Sequence, residues 1–228
     1  MPKISLVIFD IAGTLIEDHG EVVDAFQIAL RDNGIIVSQE DLIERKGASK
    51  REVIRHFIEE QFGPIAEHTA EADRTYAGFQ RLLRNLYIEK GIKPIAGAVE
   101  TFEVLHKRGI KLATTTGFDR EVSNLILEAT EWEELLPVNI SSTEVLAGRP
   151  APFMIFHAME LSGVQRVQEV VNVGDTPLDL QAGANAGARG VVGVLSGMHA
   201  RERLLGEPHT HLINSVADLP EVVTELSA

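Results

Sequence analysis

The spacing of hydrophobic residues along this chain changes at about residue 98. Beyond that point, short runs of β-branched residues alternate with stretches in which apolar positions recur every three or four residues. This alternation predicts βαβ units and therefore a parallel sheet. Together with a run near the start of the chain, the predicted strands are residues 4–9, 111–115, 138–140, 170–173, 190–194 and 211–213. The predicted helices are residues 98–107, 120–129, 152–161, 177–186, 200–205 and 216–226.

Residues 18–92 follow a different pattern. Their apolar residues are spaced as on one face of a helix, and no segment has a convincing strand pattern, as shown by Val22, Val23, Phe26, Ala29 and Leu30. The pattern predicts a helical insert between the first and second strands. We assign residues 1–16 and 94–228 to the sheet domain, and residues 17–93 to the insert.

The composition narrows the class of protein. The 228 residues are 44% hydrophobic, enough for a full core, and no run approaches the ~20 apolar residues of a membrane span. Because the start of the chain lacks a charged and then apolar leader, we expect a cytoplasmic protein that does not engage a membrane. No cysteine is present, which excludes disulfides, thiolate zinc sites and cysteine nucleophiles. The net charge of −13 argues against nucleic acid as a partner, although a local cationic site could hold a small anion.

Two aspartates stand directly after apolar runs that we predict as strands. Asp10 leaves the first strand into a Gly-Thr turn, and Asp175 follows Gly174 at the end of another. Because α/β proteins bind ligands at the carboxyl edge of the sheet, Asp10 is a candidate nucleophile. Both carboxylates are candidate ligands of Mg²⁺, which prefers oxygen. Asp179, one helical turn further, would position a water on the ion or bind it through one; the alternative is an ordinary acid at a helix N-terminus.

Two other positions offer groups that bind anions. The strand that starts near Leu112 closes on Thr116 and Gly117, and the glycine permits close approach of the backbone. Arg149 lies in a loop between Gly148 and Pro150, and its planar guanidinium can make bidentate contacts with phosphoryl oxygens. The alternative for Arg149 is a solvated loop residue.

These four motifs, in their order along the chain, resemble those of the haloacid dehalogenase superfamily. The resemblance implies an α/β fold with a Rossmann-like core, in which helices flank a parallel sheet, and an inserted all-helical cap domain on hinges near residues 16–18 and 93–95. It implies a hydrolase in which Asp10 forms an aspartyl phosphate while Thr116, Gly117 and Arg149 bind the phosphoryl group. The implied ligands of Mg²⁺ are Asp10, the backbone carbonyl of Ala12, Asp175 and Asp179. Most members carry a second acid at the position of Ala12.

The sequence around Ala12 is similar to that of the phosphonoacetaldehyde hydrolase branch, and so is the motif from Gly148 to Pro152. In that branch a cap lysine, three residues after a glycine, condenses with the substrate aldehyde. The resemblance implies that Lys50 is this lysine, that Gly47 contacts substrate, and that Ala12 leaves room for the amine. The alternative is a surface lysine at a helix start, with Ser49 as N-cap and Glu52 completing a capping box.

Three departures from that branch concern groups near the expected lysine. Val53 stands where a histidine is expected, Lys46 replaces a methionine, and Phe118 replaces a tyrosine. Each replacement removes a group that the branch uses for proton transfer or for tuning the lysine.

The sequence therefore predicts a Mg²⁺-dependent, phosphonatase-like hydrolase that cleaves the C–P bond of phosphonoacetaldehyde or a related small phosphonate. One alternative is a phosphatase of small phosphate monoesters. The second is a non-catalytic protein that binds a phosphate ligand. The expected partner is a small phosphonate or phosphate ester. The sequence leaves open whether the protein forms a homodimer.

Overall fold

A six-stranded, fully parallel sheet forms the centre of the protein in the computed structural model, which describes residues 3–228. Met1 and Pro2, the first two residues of the predicted sheet domain, lie outside the described residues. The strands are β1 (Leu6–Phe9), β2 (Lys111–Thr116), β3 (Val138–Ser141), β4 (Val170–Gly174), β5 (Gly190–Val194) and β6 (His211–Ile213). They lie in the order β3-β2-β1-β4-β5-β6.

The central position of β1 follows from its sequence. Its four residues, Leu6 to Phe9, are all apolar and fully buried, as expected for a strand covered by helices on both faces. It pairs with β2 on one side and with β4 on the other, with Phe9 opposite both Thr114 and Val173. The carboxyl ends of β1, β2 and β4 are therefore neighbours at one edge of the sheet.

Helices cover both faces of this sheet, as the alternating pattern predicts. They are α5 (Ala98–Lys107), α6 (Arg120–Thr130), α7 (Phe153–Ser162), α8 (Pro177–Ala186), α9 (Arg201–Leu205) and α10 (Leu219–Ser227). The predicted elements are confirmed, with small shifts at their ends. The last helix begins three residues later than predicted, because residues Val216–Asp218 form a separate 3₁₀ turn.

The insert after β1 is helical, as predicted, and contains α1 (Glu21–Arg31), α2 (Gln39–Glu44), α3 (Lys50–Phe62) and α4 (Thr69–Lys90). Helices α1 and α4 pack together, and the rings of Phe26 and Phe79 stack with their centres 4.3 Å apart. The segment's two connections to the sheet run side by side, since the Glu17 amide donates to the Lys93 carbonyl at 2.9 Å. We propose that residues 17–93 form a cap that moves as one unit about these connections.

None of the helices in residues 3–228 is long and apolar enough to cross a membrane.

Candidate active site

Side chains from three neighbouring strands meet at the carboxyl edge of the sheet. Asp10 directly follows β1, Thr116 ends β2, and Asp175 directly follows β4. The Asp10 amide donates to the Val173 carbonyl at 2.8 Å, which keeps the start of this loop in line with the sheet. All three side chains are buried. The order of the strands thus brings together motifs that are up to 165 residues apart in the chain.

Three aspartates form a buried acidic cluster. Carboxylate oxygens of Asp10, Asp175 and Asp179 all lie within 4.8 Å of one another. The Thr14 hydroxyl donates to one Asp175 oxygen at 3.3 Å, but the other oxygen is buried without a hydrogen-bond partner among residues 3–228. Burial raises the pKa of Asp175 well above its usual range, and it raises the pKa of Asp179 to about 6. Because a buried, unpaired carboxylate is costly, the cluster fits a hard divalent cation that would bind these oxygens.

Asp179 uses its two oxygens in different ways. One accepts hydrogen bonds from the Thr176 hydroxyl at 2.6 Å and the Thr176 amide at 3.1 Å, which makes a capping box at the start of α8. The other lies 2.9 Å from the Arg149 nitrogen that also donates to Asp10. Asp179 is therefore a helix-capping acid through one oxygen, while its role at a metal ion stays a prediction.

Arg149 is buried rather than solvated, so the loop alternative is wrong for this residue. One guanidinium nitrogen lies 2.8 Å from Asp10, and the other donates to the Thr115 carbonyl at 2.6 Å and the Thr115 hydroxyl at 2.9 Å. Burial favours the neutral form, but Asp179 and Asp10 raise the pKa of Arg149 above its ordinary value. A permanent positive charge is thus held beside the candidate nucleophile.

Thr115 is a residue that sequence reasoning missed. Its carbonyl and hydroxyl both hold Arg149, whereas the prediction concerned the next residue, Thr116. The run of three threonines at the end of β2 was the available signal, because alternate residues of a strand point to opposite faces.

Thr116 and Gly117 line one cavity together with Asp10 and Ala12. The Thr116 hydroxyl accepts a hydrogen bond from the Phe118 amide at 3.1 Å. A side chain at Gly117 would place a Cβ atom 2.3 Å from the Ala48 carbonyl oxygen. Gly117 therefore does permit a close backbone approach, but in this structure the approaching chain is the loop that precedes Lys50.

Lys50 is buried at the first position of α3. Its amide donates to the Gly117 carbonyl, and its ammonium donates to the Ala48 carbonyl, each at 3.2 Å. The ammonium lies 5.1 Å from the centre of the Phe118 ring. Ser49 makes no side-chain capping bond to this helix, so the alternative of a capped, exposed lysine is wrong.

The surroundings of Lys50 make its amine less basic than usual. Burial lowers the pKa of Lys50 to about 8; Asp10 opposes this change, and the nearby charges of Arg149 and Lys46 reinforce it. A lysine with this pKa has a far larger neutral fraction near pH 7 than a solvated one, and only the neutral amine is a nucleophile.

The remaining part of the cavity wall contains a buried ion pair that the sequence did not reveal. The Lys46 ammonium contacts the Asp18 carboxylate, and both side chains are almost fully buried. Burial works to raise the pKa of Asp18, but Lys46 holds it below its usual range. The prediction treated Asp18 as part of a hinge and did not pair it with Lys46. Since they are 28 residues apart, no local spacing links them.

Gly47 closes the cavity against α8. It has a left-handed backbone with φ +87°, and a Cβ atom there would lie 2.4 Å from the Thr176 hydroxyl oxygen. The cavity itself has a volume of about 20 Å³, which is room for about one water. Its lining includes Asp10, Ala12, Asp18, Val22, Lys46, Gly47, Lys50, Thr116, Gly117, Phe118 and Thr176. This space is too small for a phosphonate, so binding of a substrate requires the residues that line it to move apart.

Comparison with known proteins places this site in a family. Residues 4–187 match the sequence model of the haloacid dehalogenase-like hydrolases. The chain belongs to this family of hydrolases. The predicted resemblance, the hydrolase class and the parallel α/β fold are therefore confirmed.

Several similar proteins carry phosphonoacetaldehyde hydrolase in their names. A phosphonoacetaldehyde hydrolase of Bacillus cereus (strain AH187) is 33% identical over 86% of this chain and 77% of its own length. A bifunctional phosphonoacetaldehyde hydrolase/aminoethylphosphonate transaminase of Clostridioides difficile is 32% identical over 81% of this chain, which spans 30% of that longer protein. The crystal structure of a phosphonoacetaldehyde hydrolase like protein from Oleispira antarctica superposes with a TM-score of 0.85 and 25% identity, covering 99% of this chain and 93% of the other.

Proposed function

We propose that this hydrolase cleaves the carbon–phosphorus bond of phosphonoacetaldehyde or a related small phosphonate. The observation that carries the proposal is the buried Lys50 amine, which lines the same cavity as Asp10 and has a pKa of about 8. Hydrolysis of an ordinary phosphate ester has no use for an amine nucleophile, whereas a carbonyl compound can condense with one. The relatives named above support the same substrate class.

The phosphoryl group would be handled by residues at the sheet edge. Arg149 contacts Asp10 at 2.8 Å, so it can orient a phosphonate for in-line attack by the Asp10 carboxylate. The Thr116 hydroxyl would bind a second phosphoryl oxygen. Asp10, Asp175 and Asp179 would hold Mg²⁺, which supplies positive charge that shields the carboxylate from the anionic phosphoryl group.

Lys50 would make the carbon side of the bond a competent leaving group. Its amine adds to the aldehyde and water departs, which leaves a protonated imine. When the Asp10 oxygen forms its bond to phosphorus, the electron pair of the C–P bond moves into the imine and gives an enamine. Water then hydrolyses the aspartyl phosphate, and protonation and hydrolysis of the enamine release acetaldehyde and restore Lys50.

The decisive experiment is chemical trapping. Borohydride added with phosphonoacetaldehyde should leave a stable adduct on Lys50, detected by peptide mass spectrometry, and Lys50→Arg should abolish both the adduct and phosphate release. Lys107→Arg is the matched control, since Lys107 is exposed on α5. An untrapped lysine and a silent Lys50→Arg variant would refute the proposal.

A substrate panel separates the remaining alternatives. Phosphate release from small phosphonates and from phosphate monoesters should be measured with and without Mg²⁺. Release from phosphonates alone supports the proposal, and release from monoesters alone would make the protein a phosphatase. An absence of release together with tight phosphate binding would make it a binding protein. The panel is needed because Val53 is buried and apolar at the position where the phosphonoacetaldehyde hydrolase branch carries a histidine.

A further inference from the structure

A single carboxylate at the start of α6 connects the sheet domain with the cap next to Lys50. Asp119 is buried, and its Oδ1 accepts a hydrogen bond from the Val122 amide at 3.0 Å, which caps α6. Its Oδ2 accepts two more, from the Tyr76 hydroxyl at 3.0 Å and from the Gln80 amide nitrogen at 2.9 Å. Tyr76 and Gln80 both belong to α4 of the cap.

This carboxylate does more than helix capping requires. An N-cap needs one oxygen, and serine, threonine or asparagine would serve as well. The second oxygen of Asp119 is fully used by the cap. A second polar contact joins α4 and α6, between Arg84 and Glu121 at 3.3 Å, and both of its side chains are exposed. An exposed ion pair of this kind contributes little, so the buried Tyr76–Asp119 contact and the partly buried Gln80–Asp119 contact are the stronger polar link between these two helices.

The contacts of Asp119 extend to the candidate catalytic lysine. Three consecutive residues, 117–119, make these contacts. The Gly117 carbonyl accepts a hydrogen bond from the Lys50 amide, and the Phe118 ring lies against the Lys50 ammonium. Asp119 then accepts hydrogen bonds from α4. From the cap side, the Arg51 guanidinium lies 5.1 Å from the centre of the Tyr76 ring. Helices α3 and α4 are thus both fixed to one short loop of the sheet domain, and the position of Lys50 depends on that attachment.

We infer that Asp119 is a positioning residue, which holds the cap closed through Tyr76 and Gln80 and thereby keeps Lys50 in the cavity beside Asp10. The inference rests on the proposed function for its catalytic consequence, but not for the closure itself. The closed cavity has room for about one water, and opening of the cap for substrate would separate Asp119 from Tyr76 and Gln80. Asp119 therefore increases the fraction of time for which the cap is closed and Lys50 lies beside Asp10.

The first test changes the charge across the contact without changing its shape. Gln80→Glu places a second carboxylate against Asp119, and it should lower kcat/KM for the phosphonate by roughly 10-fold or more and slow borohydride trapping of Lys50 in parallel. Adding Asp119→Asn should restore most of the loss. The asparagine still caps α6 with its oxygen, and its amide N–H group can donate to the new carboxylate. Glu121→Gln, on the same helix but exposed, is the control and should change kcat/KM less than about twofold.

The second test measures closure without substrate. The chain has no cysteine, and a Cβ atom built at Gly148 would lie 3.5 Å from the Ser49 Cβ, within the range that a disulfide bridges. In the Ser49→Cys/Gly148→Cys background, the rate of disulfide formation therefore reports how often the cap is closed. Gln80→Glu should slow this rate several-fold, and Asp119→Asn should restore it in the double variant.

The outcomes separate this inference from the proposed function. Slower closure with rescue supports the role of Asp119, even if no lysine adduct is trapped in the wild-type protein; in that case the proposed chemistry alone fails. An unchanged rate of closure in Gln80→Glu would overturn the inference. A slower rate without rescue would also overturn it, because it would show general damage at the interface rather than a specific contact.

Discussion

At the scale of single residues, the site places unlike charges in a buried space where each depends on the others. Asp10 contacts Arg149, Arg149 contacts Asp179, and the Lys50 amine lies in the same cavity. Removing one member leaves another buried without its partner, which is costly. Substitutions here should therefore preserve shape while they change chemistry.

The nucleophile offers the simplest such change. Asp10→Asn is nearly isosteric and keeps an oxygen that can accept from Arg149, so the fold should persist. Phosphate release should fall by ~10³-fold or more, because an amide cannot form the aspartyl phosphate. A phosphate-release assay with circular dichroism as the folding control checks this, and Asp73→Asn, at an exposed carboxylate of α4, should retain activity. Turnover near the wild-type rate would remove Asp10 from the mechanism.

The burial of the Lys50 ammonium, which makes its amine more reactive, should also destabilise the folded protein. With a pKa of about 8 in the folded protein against an ordinary 10.5, its charge is disfavoured by folding by about 3 kcal/mol at pH 7. Lys50→Met should therefore raise the free energy of unfolding at pH 7 by roughly 1–3 kcal/mol. Between pH 8 and 10.5 the unfolded chain binds more protons at this residue than the folded protein does. The free energy of unfolding of the wild type should therefore rise with pH in this range, and the advantage of Lys50→Met should shrink.

Denaturant unfolding from pH 7 to 10 measures this trend. Lys107→Met, at an exposed lysine, should show no such pH-dependent gain. If Lys50→Met destabilises the protein at pH 7, then the ammonium is held by favourable contacts that outweigh the cost of its burial.

At the scale of elements, the loop that precedes α3 decides whether the site is assembled. Three close approaches join this loop to the sheet domain: Gly47 to Thr176, Ala48 to Gly117, and Ser49 to Gly148. Each of them involves a glycine. A Cβ atom would clash with the opposing segment at Gly47 and Gly117, at 2.4 Å and 2.3 Å, whereas at Gly148 it would make an ordinary contact of 3.5 Å. The composition of these loops therefore sets how closely Lys50 can approach Asp10.

Gly117 is the position at which this idea is tested. A Cβ atom there would lie 2.3 Å from the Ala48 carbonyl oxygen, so Gly117→Ala should hold the loop away from the sheet. We expect kcat/KM to fall roughly 10-fold or more, through misplacement of Lys50. Gly78→Ala is the control, since Gly78 lies inside α4 with no atom near its Cβ direction. That change should leave activity intact and stabilise the helix by up to about 1 kcal/mol. Equal activity of Gly117→Ala and wild type would contradict the role of this contact.

At the scale of the whole molecule, the proposed cap would open for substrate and close for chemistry. The closed cavity has a volume of about 20 Å³, and the paired connections near Glu17 and Lys93 are where the cap would turn. A protein that requires both states should lose activity when it is fixed in either one.

The disulfide between Ser49→Cys and Gly148→Cys should fix the closed state. The oxidised protein should release phosphate at less than about 1% of the rate of the same variant after reduction, because substrate cannot enter. Comparison of the two forms of one variant controls for any effect of the substitutions themselves, and Ser49→Cys alone should not respond to oxidation. Full activity of the cross-linked protein would show that substrate enters by another route.

The sequence alone determined those features whose physical cause is local. Runs of apolar β-branched residues specify strands wherever they are buried, so all six strands and the positions of Asp10, Thr116 and Asp175 at strand ends could be predicted. The helical insert followed in the same way from the spacing of its apolar residues. Arg149 was also predicted from its loop motif, because the order of the four motifs along the chain favoured a phosphoryl-binding residue over a solvated one.

Only the tertiary structure decided which distant residues share a buried space. Lys50 could equally have been a capped surface lysine, and its burial depends on Gly117 and Phe118, which lie more than sixty residues away. The same holds for three other contacts. The Asp18–Lys46 pair and the hydrogen bonds of Asp119 with α4 join residues that are far apart in the chain. The hydrogen bonds between Thr115 and Arg149 also depend on how the two side chains are oriented. Charge and hydrogen bonding act through distance in space, and that distance is fixed only when the cap packs on the sheet.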